Sequence, residues 1–577
     1  MILFFPGFSL SRLFYIASNA PGNQSQCTLI DPCHISSICS NISEEDKILI
    51  TSDSLNDNEI DILLSKILSQ RLSIKVLGSN TKLFPKSPDK IYNINVTGHI
   101  TMSNFIFDSI KIHFDLNKCT LILNNSIIKN TYFDKKKSFV SADSSQLYIL
   151  NSIIISNHNM QFYMIKSELK IFNSAIRDIV TPNSLISLYT SNFTIYNCSI
   201  YEFFGNNFIE AEQSEILAFY LYVKDTYTEN ELISLTNSYF STTFSQFRNL
   251  LSENNISLLS SKSSLSLINN SYFTGLISRV PTSVSIYCYE SSICGLNITF
   301  TNIHQSLLLL SRSHFECLNS EISRNSQLYK SDIPLAFIHL IMGSRAVVVS
   351  SIIERNDNSY GLFSAIDSIL DLGGLTMRNN RAMHGSCIFG FNSTIYLEVC
   401  RIEGCYSSGF GGVIYMFDGN LSLTEILFTS NTAQLGGDIY LTGNYSVTLY
   451  YVKSSNSVAN VGGRFLYADG IGKIRVRKSH FYYRKEEAFY CEDRVNITFD
   501  NISIPIQNQN ETKNINLKKH QQKVKVEHEI DYVLFVILSF VTIAVVSVAI
   551  YSNKAVKRGK IEQILHDLGK GKDNKLK

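Results

Sequence analysis

Apolar and polar residues alternate in short runs over most of the chain, and one arrangement of these runs recurs. It is apolar-x-apolar-x-Asn-x-x-apolar, as in Leu147, Ile149, Asn151 and Ile154. Residues two positions apart lie on one face of a strand, so each copy predicts a β-strand with one buried face. Further copies are Leu169, Ile171, Asn173, Ile176; Phe193, Ile195, Asn197, Ile200; Ile233, Leu235, Asn237, Phe240; and Phe315, Cys317, Asn319, Ile322.

The copies repeat often enough to predict an all-β solenoid. We count about 17 of them between Ile100 and Ile502, mostly at spacings of roughly 21 to 28 residues. One such unit cannot bury its apolar face alone, whereas stacked units can. Successive copies would pair as parallel strands about 4.8 Å apart and form a rod about 80 Å long. One short step, between Tyr220 and Leu235, interrupts the spacing.

The recurrent Asn has two interpretations. Amides stacked at strand spacing can hydrogen-bond along the column, as Asn ladders do in stacked sheets. Alternatively, the column is a row of ligand-binding amides. We favour the structural interpretation. Leucine-rich repeats have a similar period, but their Asn follows the preceding leucine by three residues, whereas here it follows the apolar residue by two, so a β-helix is favoured.

A second signature enters in the C-terminal third. Gly-Gly precedes apolar residues at Gly411-Gly412-Val413-Ile414, Gly436-Gly437-Asp438-Ile439 and Gly462-Gly463-Arg464-Phe465, and Phe428-Thr429-Ser430-Asn431 precedes the middle copy. The glycines suit a tight turn with positive φ before a strand. This F-x-x-N and G-G-apolar combination resembles the repeats of polymorphic outer-membrane proteins and the wider pectin-lyase-like group. The resemblance implies a right-handed parallel β-helix. That family ends in a β-barrel translocator, whereas we expect one apolar helix as the membrane part here, so autotransport is not implied.

The C-terminal region predicts a membrane anchor. Residues 532–551 are 20 residues without a charge, enough to span about 30 Å of hydrocarbon as a helix. A buried core helix is the alternative. Lys554, Lys557 and Arg558 follow the span and Glu527 and Glu529 precede it, which favours a cytoplasmic C-terminus and makes membrane lipid a predicted partner.

The N-terminal part predicts secretion. Residues 1–20 are apolar and end in Ser18-Asn19-Ala20, typical of a signal peptide, although an uncleaved anchor or a misplaced start would also fit. All fifteen Asn-x-Ser/Thr sequons and all 12 cysteines precede residue 532, which suits an oxidising compartment. The glycosylation candidates that we select are Asn95, Asn192, Asn255, Asn392, Asn444 and Asn496.

The chain divides into six predicted segments. They are a signal peptide at 1–20, a Cys-containing cap at 21–97, β-helix repeats at 98–505, a polar stalk at 506–531, the transmembrane helix at 532–551 and a basic cytoplasmic tail at 552–577. Cys294 and Cys317, in adjacent coils, are disulfide candidates, and Cys400 and Cys405 could close a small loop. Metal ligation by these cysteines is the less favoured alternative.

We find little catalytic chemistry in the sequence. One turn position after Gly-Gly is predicted to carry Asp418, Gly443 and Asp469, so the two carboxylates would lie about 10 Å apart, which is better suited to capping turns than to glycoside hydrolysis. Known nucleophile, zinc-protease and phosphate-loop motifs are absent, and no cofactor or metal is predicted. A net charge of +2 gives no reason to expect nucleic-acid binding.

These features favour a non-enzymatic function. We expect a single-pass plasma-membrane protein whose rod-like ectodomain serves adhesion, recognition or surface-coat display, with glycans or surface proteins as partners. The alternative is a membrane-tethered polysaccharide lyase or glycoside hydrolase of the β-helix class. Three acidic side chains on neighbouring coils would favour that alternative.

Overall fold

The computed structural model describes residues 12–18, 20, 27–38, 46–67, 74–85, 90–133, 138–253, 256–278, 280, 283–326, 336–358 and 360–504. They belong to one compact unit, Met1–Ile506. The predicted stalk, membrane segment and tail lie outside the described residues, and so does most of the predicted signal peptide. Within the described ranges, no helix has the length and apolar character needed to cross a membrane. The membrane anchor stays a prediction.

The described chain is a parallel β-solenoid of about 17 turns, as the repeat predicts. Each turn places strands on three faces, which we name A, B and C in chain order. Every pairing between turns is parallel. Face A consists of Ile91–Val96, Lys111–Asn117, Val140–Asp143, Phe162–Ile165, Ile186–Tyr189, Ile209–Glu212, Ile233–Thr236, Ile256–Lys262, Val284–Tyr289, Ser306–Ser311, Ile338–Ile341, Phe363–Ile366, Leu466–Ala468, Phe489–Cys491 and the first halves of three strands that continue onto face B, Ile388–Glu398, Ile414–Thr424 and Ile439–Tyr450.

Face B carries the predicted repeat strands. It consists of Leu13–Ile16, Lys47–Ile50, Thr120–Asn124, Gln146–Leu150, Glu168–Phe172, Asn192–Tyr196, Glu215–Phe219, Tyr239–Thr243, Leu265–Asn269, Ser292–Leu296, His314–Leu318, Arg345–Val349, Ile369–Gly373, Ile471–Arg477, Val495–Asp500 and parts of longer strands. Two of these longer strands, Ile74–Leu83 and His99–Asp108, continue onto face C.

Face C completes each turn. It consists of Ser54–Leu55, Ile127–Lys129, Ile153–His158, Ala175–Thr181, Ser199–Gly205, Tyr222–Thr228, Gln246–Ser252, Tyr272–Ser278, Thr299–Thr301, Glu321–Ser323, Ile352–Glu354, Thr376–Arg378, Arg401–Glu403, Leu427–Thr429, Lys453–Ser455 and His480–Phe481. A short fourth sheet follows face C in the last coils and contains Arg381–Ala382, Tyr406–Ser407, Thr432–Leu435 and Val458–Gly462. The right-handed winding of the coils stays a prediction. It agrees with the general preference for right-handed connections between parallel strands.

The stack begins before the predicted start of the repeats at residue 98. Leu13–Ile16 pairs with Lys47–Ile50, which pairs with Ile74–Leu83, all in parallel. A disulfide joins Cys27 and Cys33 beside these strands. The helices of the described residues are short: Ile35–Ile38, Asp57–Asp61, the π-helix Ile62–Ile67 and Lys485–Ala488. The predicted cap therefore contributes strands to the same stack.

The interior is the apolar column that the alternation predicts. Leu147, Leu169, Phe193 and Ile216 are in register in four successive coils, and each is fully buried. Each coil alone would leave these side chains in water, and burial at about 25 cal/mol per Å² of apolar surface drives the stacking.

The Asn of the repeat occupies the corner between faces B and C. Asn151, Asn173 and Asn197 have φ of 50°, 50° and 51°, a left-handed conformation that Asn adopts more readily than other residues with a side chain. Their exposed amides form a ladder, in which Asn173 Nδ2 donates to Asn151 Oδ1 at 3.3 Å and Asn197 Nδ2 to Asn173 Oδ1 at 2.9 Å. The structural interpretation of the Asn is confirmed.

One predicted copy is out of phase. Ile233 and Leu235 lie on face A rather than face B, and Asn237 is therefore at the corner between faces A and B. The face B strand of that coil is Tyr239–Thr243, where Phe240 and Thr242 are buried. The two kinds of corner look alike in sequence, because each has a left-handed residue followed by a small buried one. Assigning Leu235 to face B therefore made the step from Tyr220 to Leu235 too short.

The Gly-Gly corners have the predicted conformation, but the third is shifted by one residue. Gly411, Gly436 and Gly463 have φ of 63°, 64° and 66°. Gly462 lies one position earlier in the coil, because Leu435 pairs with Gly462 and Ile439 with Leu466. The corresponding sequence is therefore Gly463-Arg464-Phe465-Leu466.

Candidate ligand-binding face

Six consecutive strands of face C, from Ile153–His158 to Tyr272–Ser278, are longer than those in the later coils. Each contains a residue with positive φ near its middle, such as Asp178, Glu202 and Asp225 with φ of 51°, 52° and 53°. A left-handed residue inside a strand bends it and changes which side chains point outward. These coils therefore present a bent outer surface, which we name the C groove face.

A column of three cationic side chains and one tyrosine runs along the C groove face. Arg177, Tyr201, Lys224 and Arg248 are in register on four successive coils. The Arg177 guanidinium lies 5.0 Å from the centroid of the Tyr201 ring, a cation–π contact that holds the cation against the sheet. Arg248 makes similar contacts with the neighbouring tyrosines of the adjacent coils.

An acidic column runs beside the cationic one. Asp178, Glu202 and Asp225 share one position on three neighbouring coils. Asp178 Oδ2 accepts a hydrogen bond from Ser156 Oγ at 2.8 Å. Coils lie about 4.8 Å apart, close to the roughly 5–5.5 Å between the carboxyl groups of a retaining glycosidase. This is the arrangement that the enzyme alternative requires.

Asp225 is held as a carboxylate. Burial raises its pKa, but hydrogen bonds from Asn249 Nδ2, at 2.8 Å, and from Lys224 lower it further than burial raises it, so the net shift is downward. The Lys224 ammonium lies 3.1 Å from the carboxylate. An ionised Asp225 can accept hydrogen bonds, bind a cation or act as a base, but it cannot donate a proton as a general acid.

Apolar residues form the other wall. His158, Val180, Phe204, Tyr227 and Leu251 pair in register along the coils. The Phe204 and Tyr227 rings lie 5.9 Å apart. An open groove of about 440 Å³ lies between this wall and the acidic column and is lined by Phe204, Asp225, Thr226, Tyr227, Asn249 and Leu251. Aromatic surface beside fixed polar groups is a combination that orients ligands.

Five of the six glycosylation candidates lie away from the C groove face. Asn255 is outside the described residues, and the other five are exposed. Asn95 is on face A, Asn192 and Asn496 are on face B, and Asn392 and Asn444 are at the corner between them. None of the fifteen sequon asparagines belongs to the six long strands of face C. Attached glycans stay a prediction.

The predicted disulfide between Cys294 and Cys317 is wrong in this structure. Cys294 is opposite Glu316, and Cys317 is opposite Gly295, so the two side chains point to opposite sides of the sheet. Both are free thiols. The sequence-based register placed them in equivalent slots, but it is offset by one residue.

The predicted loop between Cys400 and Cys405 is wrong as well, because the backbone holds these two free thiols apart. The strand Arg401–Glu403 separates them, and three extended residues span about 10 Å, more than the roughly 7 Å Cα separation that a disulfide allows.

Within the described residues, no group of three His, Cys, Asp or Glu side chains is arranged to hold a metal ion.

The carboxylates singled out near Gly-Gly do not share a column. Asp418, Gly443 and Gly470 occupy one position, with φ of 58°, 82° and 84°, and Asp469 lies one residue earlier. Asp418 Oδ1 accepts a hydrogen bond from the backbone N–H of Asn444, 2.5 Å away, in the next coil. Asp418 therefore caps a turn, as predicted, whereas Asp469 accepts a hydrogen bond from the Tyr440 hydroxyl at 2.7 Å.

Face A of the last coils carries an aromatic stack that sequence reasoning missed. Phe389, Tyr415, Tyr440, Tyr467 and Tyr490 lie on successive coils with ring centroids 4.5 to 5.4 Å apart. The signal was present, because an aromatic residue follows each Gly-Gly-x-apolar segment closely. Each ring covers the face of the next, so the column primarily stabilises the stack.

The fold and the site define a parallel β-solenoid whose described coils carry a groove on a lateral face. No known protein family matches the chain, and no curated protein matches it. Among solved structures, it is similar to pectate lyase Pel9A, with 9% identity, coverage of 72% of this chain and 77% of the other, and a TM-score of 0.16.

Two further solved structures are also carbohydrate-active enzymes. The periplasmic alginate epimerase AlgG is 12% identical, with 80% and 85% of the two chains covered and a TM-score of 0.15. The GH87 alpha-1,3-glucanase catalytic unit from Streptomyces thermodiastaticus strain HF3-3 is 10% identical, with 85% and 69% covered and a TM-score of 0.12. Similarity at this level carries no argument about function, and the fold assignment rests on the strand pairing.

Proposed function

We propose that the chain is a single-pass surface protein whose solenoid ectodomain recognises a ligand along the C groove face without catalysis. The observation that carries the proposal is the open groove beside Asp225, lined by residues of three consecutive coils that pair in register. A repeating surface suits an extended ligand, such as a glycan chain or a segment of a surface protein, that lies across several coils.

Two further features support this proposal. No sequon asparagine belongs to the six long strands, so glycans attached in the secretory pathway would be rooted outside these strands. The charge-free segment 532–551 would anchor the chain, with the basic tail in the cytoplasm.

Binding can be tested with the full-length chain in detergent on glycan and cell-surface protein panels. Phe204→Ala removes an apolar contact from the groove, and we expect it to weaken binding about tenfold, the effect of losing one buried aromatic anchor. Tyr396→Ala is the matched control, because Tyr396 and Phe204 are both 45% exposed and Tyr396 is on face B. Equal binding by both variants would contradict the assignment of the face.

A second candidate function is favoured by the acidic column. Asp178, Glu202 and Asp225 on neighbouring coils, with Lys224 beside them, would suit a membrane-tethered enzyme that cleaves polysaccharides. Incubation of the chain with neutral and acidic polysaccharides, followed by product analysis, distinguishes the two. Turnover that Asp225→Asn abolishes and the face B control Asp371→Asn preserves would establish the enzyme. Ligand binding without product would support recognition.

A further inference from the structure

Two buried cysteines that the sequence did not pair lie side by side in the solenoid interior. Cys387 Sγ and Cys405 Sγ are 3.5 Å apart, and the residues are 0% and 1% exposed. A disulfide needs about 2.05 Å, so the two sulfurs have to approach by about 1.5 Å.

The backbone holds both residues in place. Cys387 N–H donates to Val413 O at 3.0 Å, and its carbonyl accepts from Phe363 N–H at 2.9 Å, in the coils on either side. Cys405 N–H donates to Asn431 Oδ1 at 2.9 Å. The proximity of the sulfurs is therefore built into the strand register.

Cys387 and Cys405 lie at the two ends of one turn of the solenoid. Cys387 immediately precedes the strand Ile388–Glu398, and Cys405 follows Arg401–Glu403 of the same turn. The chain between them runs along faces A, B and C. A bond between the two sulfurs would close one turn of the solenoid into a covalent ring, next to Tyr406–Ser407, the second strand of the short fourth sheet.

The other corner cysteines have a different role. Cys198 Sγ donates to Tyr196 O at 3.2 Å, and Cys400 Sγ donates to Glu398 O at 3.2 Å. The corresponding serine, Ser174, makes the same bond to Phe172 O at 2.8 Å. These two thiols replace serine hydroxyls. Cys405 Sγ makes a longer bond of the same kind, to Glu403 O at 3.6 Å, but it also contacts Cys387 Sγ.

We propose that Cys387 and Cys405 form a disulfide when the chain folds in an oxidising compartment, an inference that rests on the proposed location of the ectodomain outside the cytosol. One thiolate attacks a disulfide of glutathione or of a protein oxidant and forms a mixed disulfide, which releases the first reduced thiol. The second cysteine then attacks the protein sulfur of that bond. Two protein thiols are oxidised, the oxidant's disulfide is reduced to two thiols, and the two protons pass to those leaving groups.

The burial of the pair determines when this exchange occurs. Neither sulfur is accessible to an oxidant once the coils above and below are in place. The bond therefore forms during folding, before the coil that starts at Ile414 covers Cys387. Oxidant added to the folded reduced protein should leave both thiols unchanged.

The test is a disulfide map of the unmodified full-length chain, so that no variant has to fold. The chain is refolded in a glutathione redox buffer until the Cys27–Cys33 peptide is fully linked, which provides an internal positive control. Free thiols are then alkylated in denaturant and the peptides are identified by mass spectrometry. We expect a peptide linking residues 387 and 405, with Cys400 alkylated.

Alkylation of both Cys387 and Cys405 in that sample, or a link from Cys405 to Cys400, would overturn the proposal. The refolding is carried out in vitro, so its outcome does not depend on where the ectodomain resides or on what it binds. A second measurement compares thermal unfolding of Cys387→Ser, Cys405→Ser and the double variant. A disulfide predicts the same drop in melting temperature for all three, whereas independent thiols predict that the single drops add.

Discussion

Asn356 Nδ2 donates a hydrogen bond to Asn380 Oδ1 one coil away, at 3.0 Å, and both side chains are buried at the corner that follows face C. Asn356 Oδ1 in turn accepts from the backbone N–H of Asn325 at 3.1 Å. Asn431, the Asn of F-x-x-N, occupies the equivalent corner and bonds to Cys405 N–H. This Asn is therefore an internal ladder residue, distinct from the exposed Asn at the corner between faces B and C.

Asn356→Ala should destabilise the solenoid strongly. The substitution leaves the Asn325 N–H and amide without their acceptor, and each unpaired buried group costs about 1–3 kcal/mol. We expect a loss of about 3 kcal/mol in the free energy of unfolding, measured by denaturant or thermal unfolding. The matched control is Asn173→Gly at the exposed ladder, where Gly tolerates the positive φ and the loss should stay below about 1 kcal/mol. Similar losses of unfolding free energy in both variants would contradict the distinction between the buried and the exposed Asn ladder.

Asp438 gives the interior a pH dependence. It is fully buried and accepts hydrogen bonds from Asn431 Nδ2 at 2.8 Å, Ser457 Oγ at 2.7 Å and Ser454 Oγ at 2.5 Å. Burial raises its pKa from 3.8 to about 7, although these three hydrogen bonds lower it. The folded state therefore binds the proton more tightly than the unfolded chain does.

The sign of the effect follows from the raised pKa. Stability from this group is fully present below pH about 4, falls as the pH rises toward 7, and is then constant, with a total change of about 4 kcal/mol. Asp438→Asn keeps the shape and removes the charge. We expect the variant to have a higher melting temperature than the unmodified chain at pH 8 and a similar one at pH 4. If the melting temperature of the variant changed with pH as much as that of the unmodified chain, the pH dependence would come from other groups.

A column of buried serines lines the corner between faces A and B, and it also predicts a measurable cost. Ser214 Oγ accepts from Ser191 N–H at 3.0 Å, and Ser214 N–H donates to Ser238 Oγ at 3.1 Å. Ser214→Ala should cost about 2 kcal/mol in the free energy of unfolding, because the Ser191 N–H loses its acceptor in the interior. Ser214→Cys should cost less, since Cys198 already accepts from Ser174 N–H at 3.5 Å. A Cys variant as unstable as the Ala variant would contradict this.

The repeat predicted the solenoid because alternation is a local property of the sequence. Leu147 and Ile149 are separated by one outward residue, and the same spacing recurs in coil after coil. Register is harder to predict. The corners at Asn197 and Asn237 are both a left-handed Asn followed by a small buried residue, so the sequence alone could not assign them to different corners.

The candidate site was not predictable for a related reason. Arg177, Tyr201, Lys224 and Arg248 are roughly 24 residues apart and form a column only once the register is known. Asp225 lies in mid-strand with a positive φ, and no local sequence motif indicates that conformation. Cys387 and Cys405 likewise come into contact because the chain completes one turn of the solenoid between them, and no sequence spacing indicates this contact.

The glycines at the last corner allow a direct test of the register. Alignment by sequence places Gly462 opposite Gly436, whereas the structure places Gly463 there, with φ of 66°. A Cβ at Gly463 would lie 2.3 Å from Leu466 O, but a Cβ at Gly462 would find its nearest neighbour, the Tyr490 ring, at 3.6 Å, an ordinary contact. Gly463→Ala should therefore lower the free energy of unfolding by about 2 kcal/mol or more, through backbone strain and the clash, while Gly462→Ala should be close to neutral. Thermal unfolding of the two variants side by side decides between the registers, since the reverse order of stabilities would restore the alignment taken from sequence.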